Sequence, residues 1–200
     1  MTERSFQRTG ISVFDESIQG FPKGSLTEIA GATSSGRTSL MMSTLAEATT
    51  AGETCALVDA TGGFDPCGAA NHGVHLDRLL WVRCRSDAGN ALRCADLIVQ
   101  AGGFGLVCLD LAGLEARQLN RIPISYWHRF RLALESTETA MVVLSGPHLV
   151  KSFAACSIEC RQEGVHWSGL RGATLLRGLQ VSAEPRKSMQ TPARYCISAV

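Results

Sequence analysis

The sequence of 200 residues is long enough for one domain with a buried core, and its formal net charge of +1 gives no reason to expect a nucleic-acid or membrane surface. The first ten residues are polar and no apolar run reaches the length of a membrane span, so we expect neither a leader nor a membrane anchor. Eight cysteines occur without a C-x-x-C pair, several of them in apolar runs, which is typical of a reduced cytoplasmic protein.

Apolar segments of strand length alternate with helical segments along most of the chain. In chain order we expect a strand over 25–31, a helix over 37–51, a strand over 54–60, a short helix over 65–73 with Pro66 in its first turn, a strand over 79–84, a helix over 86–103 capped by Ser86, a strand over 104–110, a helix over 125–137 and a strand over 140–146. This alternation predicts an α/β fold with a mostly parallel central sheet. Beyond about Lys151 the pattern becomes one of polar alternation, which predicts antiparallel C-terminal strands.

A glycine loop lies between the first predicted strand and the first predicted helix. Gly31 and Gly36 have the spacing of the phosphate-binding motif G-x-x-x-x-G-K-[ST], but Arg37 stands where the motif has lysine. The N–H groups of such a loop and the helix N-terminus attract phosphate, and Asp110 ends an apolar strand as the second acid that the site needs. The candidate cofactor-binding residues are Gly31, Ser34, Ser35, Gly36, Arg37, Thr38 and Ser39, and the candidate magnesium ligands are Thr38 and Asp110.

Other polar groups are weaker candidates for a site. A zinc site from Cys67, Cys84 and the two nearby histidines, His72 and His75, has no usual ligand spacing. A nucleophile and base pair from Ser145 and His148 lacks an oxyanion-hole motif and a partner acid. The arginines of the C-terminal strands form either a solvated face or a basic stripe, and the sequence leaves both open.

Three longer stretches carry a family resemblance. "GFPKGSLTEIAGATSSGRTSL", "GETCALVDATGGFDPCGAANHGVHLDRLLW" and "SDAGNALRCADLIVQAGGFGLVCLDLAGL" occur in the order found in bacterial RecA recombinases, so residues 9–146 resemble the RecA core. The resemblance implies a single RecA-like domain over 1–200, with a short lead-in at 1–20, the P-loop core at 21–150 and antiparallel strands at 151–200. It also implies ATP and Mg²⁺ as cofactors.

The departures from RecA concern the groups that hydrolyse ATP. Thr61 stands where RecA has the glutamate that activates water, and Gly146 stands where RecA has a glutamine that senses the γ-phosphate. Arg37 keeps a positive charge, but its planar fork does not match a pocket built for lysine. From these changes we expect a degenerate ATPase site, weak or lost binding of ATP and Mg²⁺, no catalytic residue, and a protein that is not an enzyme.

Further departures concern assembly and DNA. Only about ten residues precede the matching region, so the arm that links RecA protomers is expected to be missing and a filament is not expected. The counterparts of the two DNA loops, 111–125 and 146–153, are short, so contact with single-stranded DNA is expected to be weak or indirect. These features resemble the ImuA (SulA-like) group of RecA-related mutagenesis factors, which act in SOS-inducible translesion synthesis.

The resemblance therefore implies an accessory protein of DNA repair whose partners are polymerase-like or other repair and replication proteins, with no membrane contact. Two alternatives remain open. An ATP-dependent DNA-binding recombinase would retain turnover on single-stranded DNA. A SulA-type inhibitor of cell division would act on a cytoskeletal GTPase instead of a polymerase.

Overall fold

The structure, a computed structural model, describes residues 5–170, 173–186 and 193–198. The strands are β1 Phe6–Gln7, β2 Phe21–Pro22, β3 Ser25–Gly31, β4 Cys55–Asp59, β5 Leu79–Arg83, β6 Leu106–Asp110, β7 Ala140–Ser145, β8 Cys156–Leu170, β9 Ala173–Pro185 and β10 Ala193–Ser198. The helices are α1 Ser12–Ile18, α2 Arg37–Thr50, α3 Pro66–Asn71, α4 Ala88–Ala101, α5 Ala116–Leu119 and α6 Ile124–Leu134, with 3₁₀ turns at Leu76–Arg78 and Lys151–Phe153.

Eight of these strands form the central sheet, in the order β10-β9-β8-β3-β7-β6-β4-β5. Neighbours from β8 through β3, β7, β6 and β4 to β5 pair in parallel, whereas β9 and β10 pair antiparallel to the strands beside them. Strands β1 and β2 form a separate short antiparallel pair. The arrangement confirms the predicted α/β fold with a mostly parallel sheet and antiparallel C-terminal strands.

The sheet has a hydrophobic core on each face, because alternate side chains of each strand point to opposite faces. One core packs Ile29 and Leu57 against α1 and α2, and it continues under β9 through Val181. The other packs Leu26 and Val143 against α4 and α6. Among the described residues, this second core contains none from β8, β9 or β10, so one face of the C-terminal strands lies outside both cores, although Ser157 and Ser182 on that face are buried.

Local chemistry changes one predicted boundary. Helix α4 begins after Asp87, whose carboxylate accepts a hydrogen bond of 2.9 Å from the N–H of Asn90. The predicted cap, Ser86, has a φ of 60°, which is not the extended conformation that an N-cap requires. Helices α1 and α5 were not predicted. In the described part of the chain, no helix combines the length and apolar character needed to cross a membrane.

Candidate nucleotide-binding site

The glycine loop follows β3 and leads directly into α2, as the motif requires. A Cβ atom on Gly31 would lie 2.4 Å from Ser35 Oγ and 2.7 Å from the carbonyl oxygen of Cys160. Gly36 has a φ of 88°, and its Cβ would lie 2.6 Å from a methyl group of Val181 on β9. Both glycines are therefore required by the shape of the loop, which is pressed between the helix and the C-terminal strands.

The loop presents hydrogen-bond donors that have no protein partner. Within the described residues, the N–H groups of Thr33, Ser34 and Gly36 donate to no acceptor. The hydroxyl oxygen of Ser35 is buried and also lacks a hydrogen-bond partner there. Thr38, at the exposed first turn of α2, adds a hydroxyl at the positive end of the 14-residue helix dipole. These features fit a phosphate group, and Thr38 would hold its magnesium ion with Asp110.

Arg37 is turned into the protein. Its Nη1 donates to the carbonyl oxygens of Gly31 and Ser145, the latter at 3.4 Å, and Nη2 donates to the carbonyl of Ala112 at 3.3 Å. These three carbonyls lie at or just beyond the carboxyl ends of β3, β7 and β6. The guanidinium therefore links three strand ends, which an ammonium group with a single nitrogen could not span in the same way.

Two aspartates end neighbouring strands close to this group. Burial raises the pKa of Asp110, and the nearby Asp59 raises it further, while the N–H of Ala112 and the charge of Arg37 oppose the shift. Asp59 is buried, and its carboxylate accepts hydrogen bonds of 2.7 to 3.3 Å from the four N–H groups of residues 61–64. Asp59 thus fixes the segment that carries Thr61.

Thr61 and Gly146 stand where the resemblance expected catalytic groups, and Ser145 directly precedes Gly146. A Cβ on Gly113 would lie 2.9 Å from the methyl carbon of Thr61, so Thr61 packs beside the loop that follows β6. The hydroxyl of Ser145 is buried and donates to Glu28 at 3.4 Å. In the described structure, neither side chain provides a carboxylate or an amide next to Arg37.

Glu28 is a residue that the sequence analysis missed. It is fully buried on β3 and accepts hydrogen bonds from the N–H groups of Leu149 at 2.5 Å and Val150 at 2.9 Å. Its other oxygen lies 3.0 Å from Nδ1 of His148. A partner acid for His148 therefore exists, contrary to the expectation, but Ser145 and His148 each contact Glu28 and no bond between them is described. The single acid in the apolar strand segment "SLTEIAG" was the sequence signal that could have indicated a buried, hydrogen-bonded carboxylate.

The remaining candidates have structural explanations. The described residues contain no group of three or more His, Cys, Asp or Glu side chains that could hold a metal, which removes the zinc interpretation there. The helix predicted over 125–137 packs its aromatic residues Trp127 and Phe130 into the second core, so these two rings present no exposed surface for a contact with DNA or a partner. Three arginines of the C-terminal strands pair with glutamates: Arg161 and Arg186 with Glu159, and Arg194 with Glu163. Arg171 and Lys187 lie outside the described residues.

Comparisons with known proteins agree with this geometry. The family model of the RecA N-terminal domain matches residues 8–118. Over 94 residues, or 46% of this chain, the sequence is 44% identical to protein RecA of Azospirillum lipoferum and 43% identical to protein RecA of Teredinibacter turnerae. The matches cover 26% and 27% of those proteins, so the chain spans about a quarter of the length of the curated relatives it matches.

A solved structure extends the similarity to the whole fold. The crystal structure of the RadB recombinase superposes with a TM-score of 0.71, covering 98% of this chain and 96% of that chain at 17% identity. At this identity the structure shows the fold, whereas the relatives named RecA point to an ATPase-type enzyme family. The expectation that this protein is not an enzyme is therefore wrong: it was drawn from three substituted side chains, whereas the backbone of the loop is intact. Since the family model covers more than half of the sequence, the chain belongs to the RecA N-terminal domain family.

Proposed function

We propose that the protein is a RecA-like DNA-repair protein that binds ATP and Mg²⁺ weakly, turns ATP over slowly and acts as an accessory factor in SOS-inducible translesion synthesis. The coarser part, a role in DNA repair, is supported by the relatives named RecA and by the structural similarity to a recombinase. The more specific part, weak nucleotide binding and an accessory role in translesion synthesis, is supported by the geometry of the nucleotide site and by exposed apolar side chains on the outer helices.

The observation that carries the proposal is the position of Arg37. Its guanidinium already bonds to the carbonyl oxygens of Gly31, Ser145 and Ala112. Exchanging those bonds for a phosphate would leave partly buried carbonyls without donors, at a cost of about 1–3 kcal/mol for each unsatisfied group. The affinity for ATP at residues 31–39 is therefore lower than it would be if only the free N–H groups of the loop determined it.

Slow turnover follows from the neighbouring side chains. Thr61 cannot serve as a carboxylate base, Gly146 has no side chain to sense the γ-phosphate, and Glu28 is turned away into hydrogen bonds with the segment that follows β7. The loop, Thr38 and Asp110 still supply electrostatic stabilisation of a phosphoryl group. A reduced but measurable ATPase is the expected activity.

Contacts with other repair or replication proteins are proposed for the outer surface of α4 and α6. Leu97 is 69% exposed, Ile124 65% and Leu132 52%, and large apolar side chains at this exposure are typical of protein contacts. A polymerase-like partner is the one that the resemblance to the ImuA group favours. The alternative function, an ATP-dependent recombinase, is favoured by the structural similarity over 98% of the chain.

Calorimetric titration with ATP and Mg²⁺ tests the nucleotide site. Wild type should bind with a Kd above about 100 μM, and Arg37→Lys should bind about tenfold more tightly, because a lysine releases the carbonyls. Arg93→Lys on the outer face of α4 is the matched control and should change nothing. A wild-type Kd in the low micromolar range that Arg37→Lys leaves unchanged would contradict the proposal.

A gene deletion tests the cellular role. An accessory factor of translesion synthesis predicts a lower frequency of damage-induced mutation with homologous recombination retained. Loss of recombination would favour the recombinase instead, and a defect confined to the arrest of division after damage would favour the SulA-type inhibitor.

A further inference from the structure

A cavity lies between the segment that leads into α6 and the segment that follows β7. We call it the α6 cavity. Its volume is about 190 Å³, and its walls come from residues between 119 and 124, from Trp127 and from residues 148–153. None of the glycine-loop residues 31–39 belongs to its described lining. Pockets for whole small molecules are typically about 300–1,000 Å³, so this cavity is too small for a cofactor and has room for one large side chain.

The α6 cavity has an apolar interior and an apolar mouth. Leu119 and Val150 in its walls are 4% and 0% exposed, whereas Ile124 at its mouth is 65% exposed. Ile124 is also one of the apolar residues through which the outer surface of α6 is proposed to contact other proteins. The cavity is therefore continuous with that surface, and a side chain that enters it would be buried as the anchor residues of protein interfaces are.

No acid lines the α6 cavity among the described residues. Two carboxylates approach its wall at His148. Glu28 lies 3.0 Å from Nδ1 of that ring, and Glu159 lies 3.6 Å from Nε2. Both carboxylates are thus already paired with the histidine, and the cavity itself offers no negative charge to an incoming group.

The chain next to the cavity has an excess of positive charge. Residues 116–134 contain four arginines and a histidine but no aspartate or glutamate. Arg117 and Arg121 line a second, wider cavity of about 470 Å³ together with one acid, Glu115. The other two arginines of the stretch form ion pairs, whereas within the described structure neither Arg117 nor Arg121 has a carboxylate partner.

We propose that the α6 cavity binds an acidic segment of a protein partner, with one large apolar side chain inserted into the cavity and a carboxylate paired with Arg117 or Arg121. An apolar anchor in a pocket, next to complementary charges that orient the partner, is a common arrangement in protein interfaces. The inference rests on the proposed function through protein contacts, and it states the chemistry of the partner that would be bound.

Single-stranded nucleic acid explains these features less well. It would use the arginines but leave the enclosed apolar cavity empty. Stacking of bases requires an exposed ring. Of the rings that line the cavity, Trp127 is buried, and Phe153 is half-buried and packs against His128 and Arg131.

Selection of phage-displayed random peptides on the full-length protein tests the inference. The enriched peptides should share one large apolar residue flanked by aspartate or glutamate. The strongest of them is then synthesised with a fluorescent label, and its affinity for each variant is measured by fluorescence anisotropy.

Three variants give different expected affinities. Asn120→Trp, at an exposed lining position, should weaken binding about thirtyfold, because the indole occupies the cavity in place of the anchor. The double variant Arg117→Glu with Arg121→Glu should weaken it about tenfold at low salt and by less at high salt, where charges are screened. Leu175→Ser is the matched control, since it removes an exposed apolar side chain on β9 and should change the affinity less than twofold.

The contrary outcomes are equally specific. Failure to enrich any peptide, enrichment of peptides without acidic residues, or equal affinities of wild type and Asn120→Trp would overturn the inference. Loss of binding only in Leu97→Ser would also overturn it and would place the partner on the outer face of α4. Oligo(dT) that binds wild type and Asn120→Trp equally, but not the double arginine variant, would instead make the region a nucleic-acid surface.

The proposed function is tested separately by the ATP titration and the gene deletion, so either can fail without the other. A Tm equal to that of wild type for each variant excludes misfolding as the cause of lost binding. If Asn120→Trp lowers the Tm, Ile124→Ser at the mouth of the cavity replaces it and should weaken binding about tenfold.

Discussion

The two halves of the central sheet differ in the number of faces that they bury. In the parallel half, from β3 through β7 and β6 to β4, helices cover both faces, and every residue of β7 is buried. In the C-terminal half, Val181 and Ala183 point into a core, while Glu159 and Arg161 lie on the opposite face, which we call the open face because neither core includes it. A buried face stabilises the fold, and an open face is available for contacts with other molecules.

The candidate nucleotide site lies where the two halves meet. A Cβ atom on Gly36 would lie 2.6 Å from Val181 and 3.1 Å from Ile197, so the glycine loop lies against the C-terminal strands, while Arg37 reaches the carbonyls of the parallel half. A substitution in the glycine loop therefore alters the packing of both halves. Substitutions in each half, at the boundary between them and at one buried charged group can be compared by the loss of stability that each causes. Together they measure whether the two halves unfold independently.

Truncation of an aromatic side chain gives the largest expected contrast between the halves. Phe130→Ala removes a fully buried ring beneath the parallel half and should lower the free energy of unfolding by about 3–5 kcal/mol. Trp167→Ala removes a larger ring from the open half and should change it by less than about 0.5 kcal/mol. Urea denaturation measures both. A comparable loss in the two variants would mean that the outer end of the β8–β9 pair, where Trp167 lies, is part of the cooperative core.

Gly36→Ala tests the boundary and should have an intermediate effect. The added methyl would overlap Val181 at 2.6 Å and would also force a residue with a side chain to a φ of 88°, which together should cost about 2–3 kcal/mol. Gly52→Ala is the matched control, because Gly52 has the same φ of 88° and open space around it, so only the conformational cost of about 1 kcal/mol remains. Thermal unfolding compares the two.

A second substitution makes the test specific. If contact with Val181 causes the additional loss, the double variant Gly36→Ala with Val181→Ala should lose less than the sum of the two single changes. Additive losses would show that the C-terminal strands do not press on the glycine loop in solution.

The parallel half was predictable because its strands are continuous apolar runs. Segments such as "LVCLD" and "AMVVLS" have no alternative to a strand buried on both faces, and the glycine spacing placed the loop between β3 and α2. The inward orientation of the Arg37 side chain was not predictable. Two of its partners are the backbone carbonyls of Ala112 and Ser145, which lie 75 and 108 positions further along the chain. The role of Glu28 was missed for a similar reason, since its N–H partners lie 121 and 122 residues further along.

The smallest expected effect concerns the charge of Asp110 at the edge of the parallel half. Because burial and the neighbouring Asp59 raise the pKa of this carboxyl above its ordinary value of 3.8, the folded protein holds the proton more tightly than the unfolded chain does. The ionised carboxylate therefore destabilises the fold at neutral pH, and the effect disappears at low pH, where both states are protonated. Asp110→Asn should raise the Tm at pH 7 by about 2–4 °C, which corresponds to about 1 kcal/mol.

The pH dependence separates this explanation from a general effect of removing an acid. The advantage of Asp110→Asn should shrink as the pH falls towards 3.8, whereas Asp77→Asn, at an exposed position, should show no comparable gain. The same variant should weaken the binding of ATP that depends on Mg²⁺, since a neutral amide is a poorer magnesium ligand than a carboxylate. A lower Tm at pH 7 would show that the hydrogen bond from Ala112 and the positive charge of Arg37 stabilise the ionised Asp110 carboxylate by more than its burial costs.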